Sequence, residues 1–142
     1  GRALHSVLYQ RIHNFCTKYT PEFPAEPVVN AWLSRLYNSD PAFHLLVNMN
    51  DKFEITEHAV IDVQVNFNLI TVQCHQAQLD KPSISHAVEL MEYLDKLKAE
   101  TNAVCIVFSI ADSKHAKTFE KRHNYTVFRT VLIKTSDNDE SE

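Results

Sequence analysis

The sequence predicts one mixed α/β domain: two helices, an antiparallel meander of three strands, then helix, buried strand, helix and final strand. Three observations carry this reading. Helical periodicity before residue 38 gives way to alternation of apolar and polar residues between 42 and 74. The strongest amphipathic stripe, over Ser83 to Glu100, is followed at once by the uninterrupted apolar run Ala103 to Ile110. The 142 residues contain one glycine, where average composition would give about ten, so other residues must make the turns.

The first helix is expected from Arg2 to Tyr19, where Leu4, Val7, Leu8, Ile12, Phe15 and Cys16 recur at helical spacing. Pro21, Pro24 and Pro27 mark Thr20 to Pro27 as a connector. A second helix follows from Val28 to Tyr37, with Val29, Trp32, Leu33 and Leu36 on one face, and the run Asn38 to Pro41 ends it. Ala42 to Asn48 reads as a strand, and Asn50-Asp51 supplies a turn without glycine. Ala59, Ile61, Val63, Val65 and Phe67 alternate along a long strand, and Ile70, Val72 and Cys74 begin the return. Asparagine tolerates positive φ better than other non-glycine residues, so Asn66 and Asn68 suit the hairpin end.

The helix over Ser83 to Glu100 carries Ala87, Leu90, Met91, Leu94 and Leu97 on one face, with Glu92 and Lys96 spaced for an ion pair. Ala103 to Ile110 has the composition of a strand covered on both faces, which makes Cys105 a core residue. A short helix capped by Asp112 or Ser113 runs to His123, and Tyr125 to Lys134 forms the last strand. Return strand, long helix and apolar strand make a β-α-β crossover, which sets those two strands parallel. The domain is expected to span residues 1–135.

Composition narrows the function. The formal net charge is −4, and the four acids of Ser136 to Glu142 account for all of it, so that segment reads as a solvated, disordered tail on a neutral body. A neutral body without a basic stripe lacks the electrostatic footprint of a nucleic-acid partner. The sole glycine, Gly1, reads as a cloning remnant, which excludes standard glycine-cradled phosphate loops. No apolar run approaches the length of a membrane span, nothing at the start reads as a signal peptide, and three cysteines fit a reduced, cytoplasmic protein. Cys74 and His75 are the only close cysteine–histidine pair. Neighbours on a strand point to opposite faces, so no metal site is expected.

The segment "HAKTFEKRHNY", His115 to Tyr125, resembles the closing helix of the GNAT superfamily of acyl-CoA-dependent N-acyltransferases. Ala116, Phe119 and Tyr125 fall in register, and Asn124 stands at the family's glycine, where a helix end needs left-handed φ. Glu120 stands at the family's tyrosine, the usual acid for the departing thiolate, and Ser113 at its customary asparagine. The family's acyl-CoA loop falls on "PSISHA", Pro82 to Ala87. There Ser85 and Ala87 are small as required, Pro82 replaces Gln or Arg, and Lys81 is adjacent. The element order from Ala42 to Lys134 is also similar to that family, which implies a GNAT-like fold.

The resemblance implies acetyl-CoA or another acyl-CoA as co-substrate. It would be held by main-chain groups of Ala77 and Leu79 and by Lys81, Ser83, Ile84, Ser85, His86, Ala87 and Ser113. The acceptor would be a small-molecule amine or a protein amino group. His75 is the candidate base, since imidazole titrates near neutrality, although a strand histidine is also an ordinary half-exposed sheet residue. Glu57, His58 and Asp62 are similar candidates, with solvent-facing charge as the plainer reading. Glu120 serves as acid only if its pKa is raised; beside Lys121 it also reads as an exposed helical carboxylate. The pattern sets no oligomeric state, with a homodimer one option.

Two functions fit: a divergent N-acyltransferase, or a GNAT-fold binding or structural module that has lost acyl-CoA. The first requires the return strand and the apolar strand to splay apart. The second has that cleft closed by Gln76, Gln78 or Pro82.

Overall fold

The computed structural model describes residues 2–79, 84–110 and 113–126. The elements are α1 (Arg2–Tyr19), α2 (Ala25–Tyr37), β1 (Phe43–Met49), β2 (Ile55–Asn66), β3 (Leu69–Leu79), α3 (Ile84–Thr101), β4 (Cys105–Phe108) and α4 (Ser113–His123). The four strands form one sheet in the order β1-β2-β3-β4, antiparallel except for the parallel β3–β4 pair. The expected crossover is therefore present. The expected last strand lies mostly, and the acidic tail wholly, outside the described residues; Tyr125 and Thr126, which are described, are not in a strand.

α2 starts at Ala25, three residues before the expected Val28, and takes in Pro27. Proline is acceptable in a first turn because its missing N–H has no partner there. α3 begins at Ile84 and places its Lys96 against Glu100 at 3.8 Å, one turn forward of the expected Glu92. β4 is shorter than the apolar run suggested and less covered. Cys105 is exposed, and Ile106, Val107 and Phe108 are only half-buried.

The sheet separates two cores. On one face α3 packs Leu94 and Leu97 against Ala59, Ile61, Val72 and Cys74. On the other, α1 and α2 pack Leu8, Ile12, Cys16, Val29 and Leu33 around Ile55. Odd residues of β2 from Glu57 to Val63 serve the α3 face, and even residues serve the helix-pair face.

Asparagine does part of glycine's work. Asn68, Asn102 and Asn124 all have φ near 60°, the last at the position expected from the closing-helix pattern. Asn50 instead organises its turn by side chain, its Oδ1 accepting from the N–H groups of Lys52 at 2.9 Å and Glu54 at 3.0 Å, while Phe53 takes the positive φ. At the β2–β3 hairpin Phe67 has φ 53° and is 98% exposed, so it bears left-handed strain without packing in return. Phe67→Asn with Asn68→Gly supplies the residues this turn prefers. Chemical denaturation is expected to show a gain of about 1 kcal/mol.

Candidate active site around the β3 bulge

β3 contains one residue too many for its partner. Ile61 pairs with Cys74, but Val60 pairs with Gln76, which leaves His75 as the inserted residue of a β-bulge. The insertion reverses the alternation of the main chain. Before it, the carbonyls of Ile70 and Cys74 accept hydrogen bonds on the β4 side, from the N–H groups of Val104 at 2.8 Å and Ser109 at 3.1 Å. After it, Gln76 and Gln78 take the positions facing β2, and the main-chain groups of Ala77 and Leu79 turn toward the β4 side. The parallel ladder has already ended there, at Cys74 and Phe108. Among the described residues, β3 thus runs on from His75 to Leu79 without a β4 partner. The end of the ladder and the bulge fall at the same place on β3.

His75 lies on the helix-pair face, where alternation from Thr71 and Gln73 places it, with its ring stacked on Trp32 at 5.6 Å between centroids. Its Nε2 lies 3.7 Å from Oδ2 of Asp62. Burial lowers the His75 pKa, and Asp62 opposes this only in part, so the imidazole is neutral at pH 7. A neutral imidazole beside a carboxylate can take a proton and have the resulting charge met.

Asp62 is itself held. Arg35 donates from Nη2 to Oδ1 at 2.8 Å, and Gln64 donates from Nε2 to Oδ2 at 3.0 Å. Arg35 also donates from Nε to Asp40 at 2.8 Å, which bridges the end of α2 to the middle of β2. Burial alone would raise the Asp62 pKa. The hydrogen bonds from Arg35 and Gln64, with the charge of Arg35, outweigh burial and hold it below the ordinary carboxylate value.

The three β2 candidates are not solvated charges: Glu57, His58 and Asp62 are all buried. His58 Nδ1 accepts from Nε of Arg11 at 2.9 Å, which leaves Nε2–H to donate to Oε1 of Gln76 at 2.9 Å. Gln76 in turn donates to Sγ of Cys16 at 3.2 Å and to the carbonyl of Ile12. Gln76 is thus committed to the α1 side and does not close the β3–β4 cleft. Its bulge partner His75 is left as the candidate base on that face. Arg11 further donates to the carbonyls of Ile55, Thr56 and Gln78, fastening α1 to β2 and the end of β3. Glu57 faces α3, where it pairs with His86 and accepts from Nδ2 of Asn48 at 2.9 Å.

Of the other candidates, Ala77 lies half-buried on the α3 face, and Glu120 sits half-buried on α4, whose Phe119 packs against Phe108 and Tyr125. Ile84, Ser85, His86 and Ala87 form the first turn of α3, and Ser113 opens α4. Lys81 and Ser83 lie outside the described residues, as does Pro82. Burial pushes the Cys74 thiol up to about 12, so it is core and no nucleophile. Among the described residues no group of three or more His, Cys, Asp or Glu is placed to hold a metal ion, and no helix is long and apolar enough to cross a membrane.

Trp32 and Arg35, three apart on α2, were invisible as site residues in the sequence. Only the fold brings them to His75 and Asp62.

The architecture is a mixed sheet whose one parallel pair, β3–β4, ends its ladder where the bulge lies, with α3 starting beyond the longer strand. No family model and no curated protein matches the sequence. Solved structures do match its fold. A predicted acetyltransferase from Clostridium acetobutylicum, solved with acetyl-CoA, superposes with TM-score 0.66 at 12% identity over 92% of this chain and 90% of that one. A ribosomal-protein-alanine N-acetyltransferase from Brucella melitensis biovar Abortus gives 0.59 at 13% identity, over 89% and 93%. An aminoglycoside acetyltransferase from an uncultured soil sample gives 0.57 at 20% identity, over 90% and 86%. The chain has the GNAT fold, as the resemblance of its closing helix implied.

Proposed function

We propose that the protein is an acyl-CoA-dependent N-acyltransferase that acylates a small-molecule amine or a protein amino group. The observation that carries this reading is the coincidence, at His75, of the β-bulge with the end of the β3–β4 ladder. It turns main-chain groups of Ala77 and Leu79 toward a side of β3 where, among the described residues, no strand pairs with them, which suits the amides of an extended pantetheine arm. Main-chain recognition does not depend on glycine and survives side-chain drift.

In this reading the N–H groups of Ile84, Ser85, His86 and Ala87, which a helix start leaves without intrahelical partners, meet the pyrophosphate. The His86 side chain is engaged by Glu57, so its contribution is the main-chain donor. Lys81 and Ser83 precede that turn and add charge and a hydroxyl, and Ser113 contributes at the start of α4. Acyl-CoA supplies the activated acyl group. His75 takes the proton that the acceptor ammonium must lose before its nitrogen can attack, and Asp62 stabilises the imidazolium. Glu120, at the family's tyrosine position, relays to the departing thiolate the second proton that the nitrogen sheds as the amide forms.

The reading is tested by incubating the protein with acetyl-CoA and a panel of primary amines while following free thiol release. Amine-dependent thiol release that disappears in His75→Gln supports it. Binding of acetyl-CoA without turnover on any amine or protein substrate contradicts the catalytic assignment.

A further inference from the structure

A hollow opens on the α3 face of the sheet, between the first half of α3 and strands β1 to β3, with a volume of about 270 Å³. Its floor is made by small residues. Ala59 and Ala77 face each other directly across β2 and β3, and Leu46 pairs with Ala59 on the β1 side. Leu90 closes the apolar wall from α3. Two alanines at adjoining sheet positions leave α3 standing over space that larger side chains would fill.

The charged groups at the hollow are mainly of one sign. Among the described residues, Glu57 and Glu89 line it, His86 and His58 are the cation-formers with them, and no lysine or arginine takes part. His58 points to the opposite face and is held by Arg11 and Gln76. The Glu57 side chain is only 11% exposed. It accepts one hydrogen bond on each oxygen, from His86 and from Asn48, and a carboxylate has about four lone-pair sites. Tyr93, tied to His44 at 2.8 Å, walls the far end.

An apolar floor with a half-used, nearly buried carboxylate at its rim fits a molecule with a short aliphatic body and one positive end. We propose that this hollow is a binding site for a small primary alkylammonium, its chain on Ala59 and Ala77 and its charge on Glu57. It lies across the sheet from His75 and Trp32, while Ala77 and His86 belong both to its lining and, through main-chain groups, to the proposed acyl-CoA contacts. It also touches the first turn of α3 through His86, which makes it a place from which an amine can act on that turn.

The probe is n-butylammonium chloride, titrated into the isotopically labelled full chain and followed by amide chemical shifts, with 1-butanol and sodium butyrate as controls. No acyl-CoA is present, so the outcome does not depend on the acyl-transfer reading. Saturating shifts centred on Leu46, Ala59, Ala77 and Leu90, with at least tenfold weaker binding of both controls, are expected. Glu57→Gln should weaken n-butylammonium at least tenfold, and Ala77→Leu should remove the shifts while the remaining spectrum stays native. Ala59→Val serves if Ala77→Leu fails to fold. Non-saturating shifts, equal binding of 1-butanol, or binding unchanged by Glu57→Gln and the cavity-filling variant would overturn the proposal.

Discussion

Replacing His75 by glutamine is expected to lower kcat for acyl transfer by about a hundredfold or more, the usual contribution of a positioned base. Glutamine keeps the size and polarity of the bulge residue but cannot accept a proton at neutral pH. The pH profile discriminates a base from a structural residue. Burial lowers the His75 pKa, so kcat/KM should rise with pH through a value below the ordinary imidazole 6.5 or so. Asp62→Asn removes the carboxylate that favours the imidazolium, so it should move that limb to still lower pH. The same shift affects stability. With the folded value depressed, the contribution of His75 is complete above the unfolded pKa and is lost as pH falls through the folded one. A pH profile identical in wild type and Asp62→Asn would remove His75 from the role.

Arg35→Ala should cost about 2–3 kcal/mol of folding stability, somewhat below the full range for breaking a buried pair because Arg35 is itself partly exposed. The loss comes mainly from what is left behind. Asp62 is buried, and without Arg35 it keeps only Gln64 and a neutral imidazole as neighbours. Asp40 keeps the Ala42 N–H but loses its guanidinium partner, and with it goes the clamp between the end of α2 and β2. Because the folded Asp62 pKa is depressed, this stabilisation is present above the unfolded carboxylate value of about 4 and is lost as pH falls through the folded value. The wild-type advantage over Arg35→Ala, read by urea denaturation, should therefore shrink in acid. An advantage that is constant from pH 7 to pH 3 would contradict the Asp62 linkage.

The elements were legible in the sequence wherever one physical signal acted alone. The stripe of α3, the alternation of β2 and the crossover followed from period, and Asn124 from the φ a helix end demands. Where two signals compete, pattern alone misleads. Proline usually breaks a helix, which sets Pro27 in the connector, yet a first helical turn accepts it. The apolar run Ala103 to Ile110 points to a core position for Cys105, but the run is longer than the paired strand and Cys105 is exposed. The candidate site was half legible. His75 and Asp62 were individually visible as residues able to move or hold a proton, but strand alternation in the sequence gave Asp62 a solvent-facing position. A bulge has no signature in a run such as "TVQCHQAQL", so neither the insertion at His75 nor the reversal at Ala77 was readable. Arg35 and Trp32 belong to the site only through the packing of α2 on the sheet.

The most direct test of the central claim is thermal unfolding with and without millimolar acetyl-CoA, with ADP as the control for nucleotide alone. A ligand at about a hundred times its dissociation constant adds about 2.7 kcal/mol, a shift of several degrees in a domain of this size. A rise in Tm specific to acetyl-CoA is the predicted result, because the thioester arm engages β3 beyond the bulge. No rise, or one matched by ADP, would contradict the account and leave a GNAT-fold binding module as the reading.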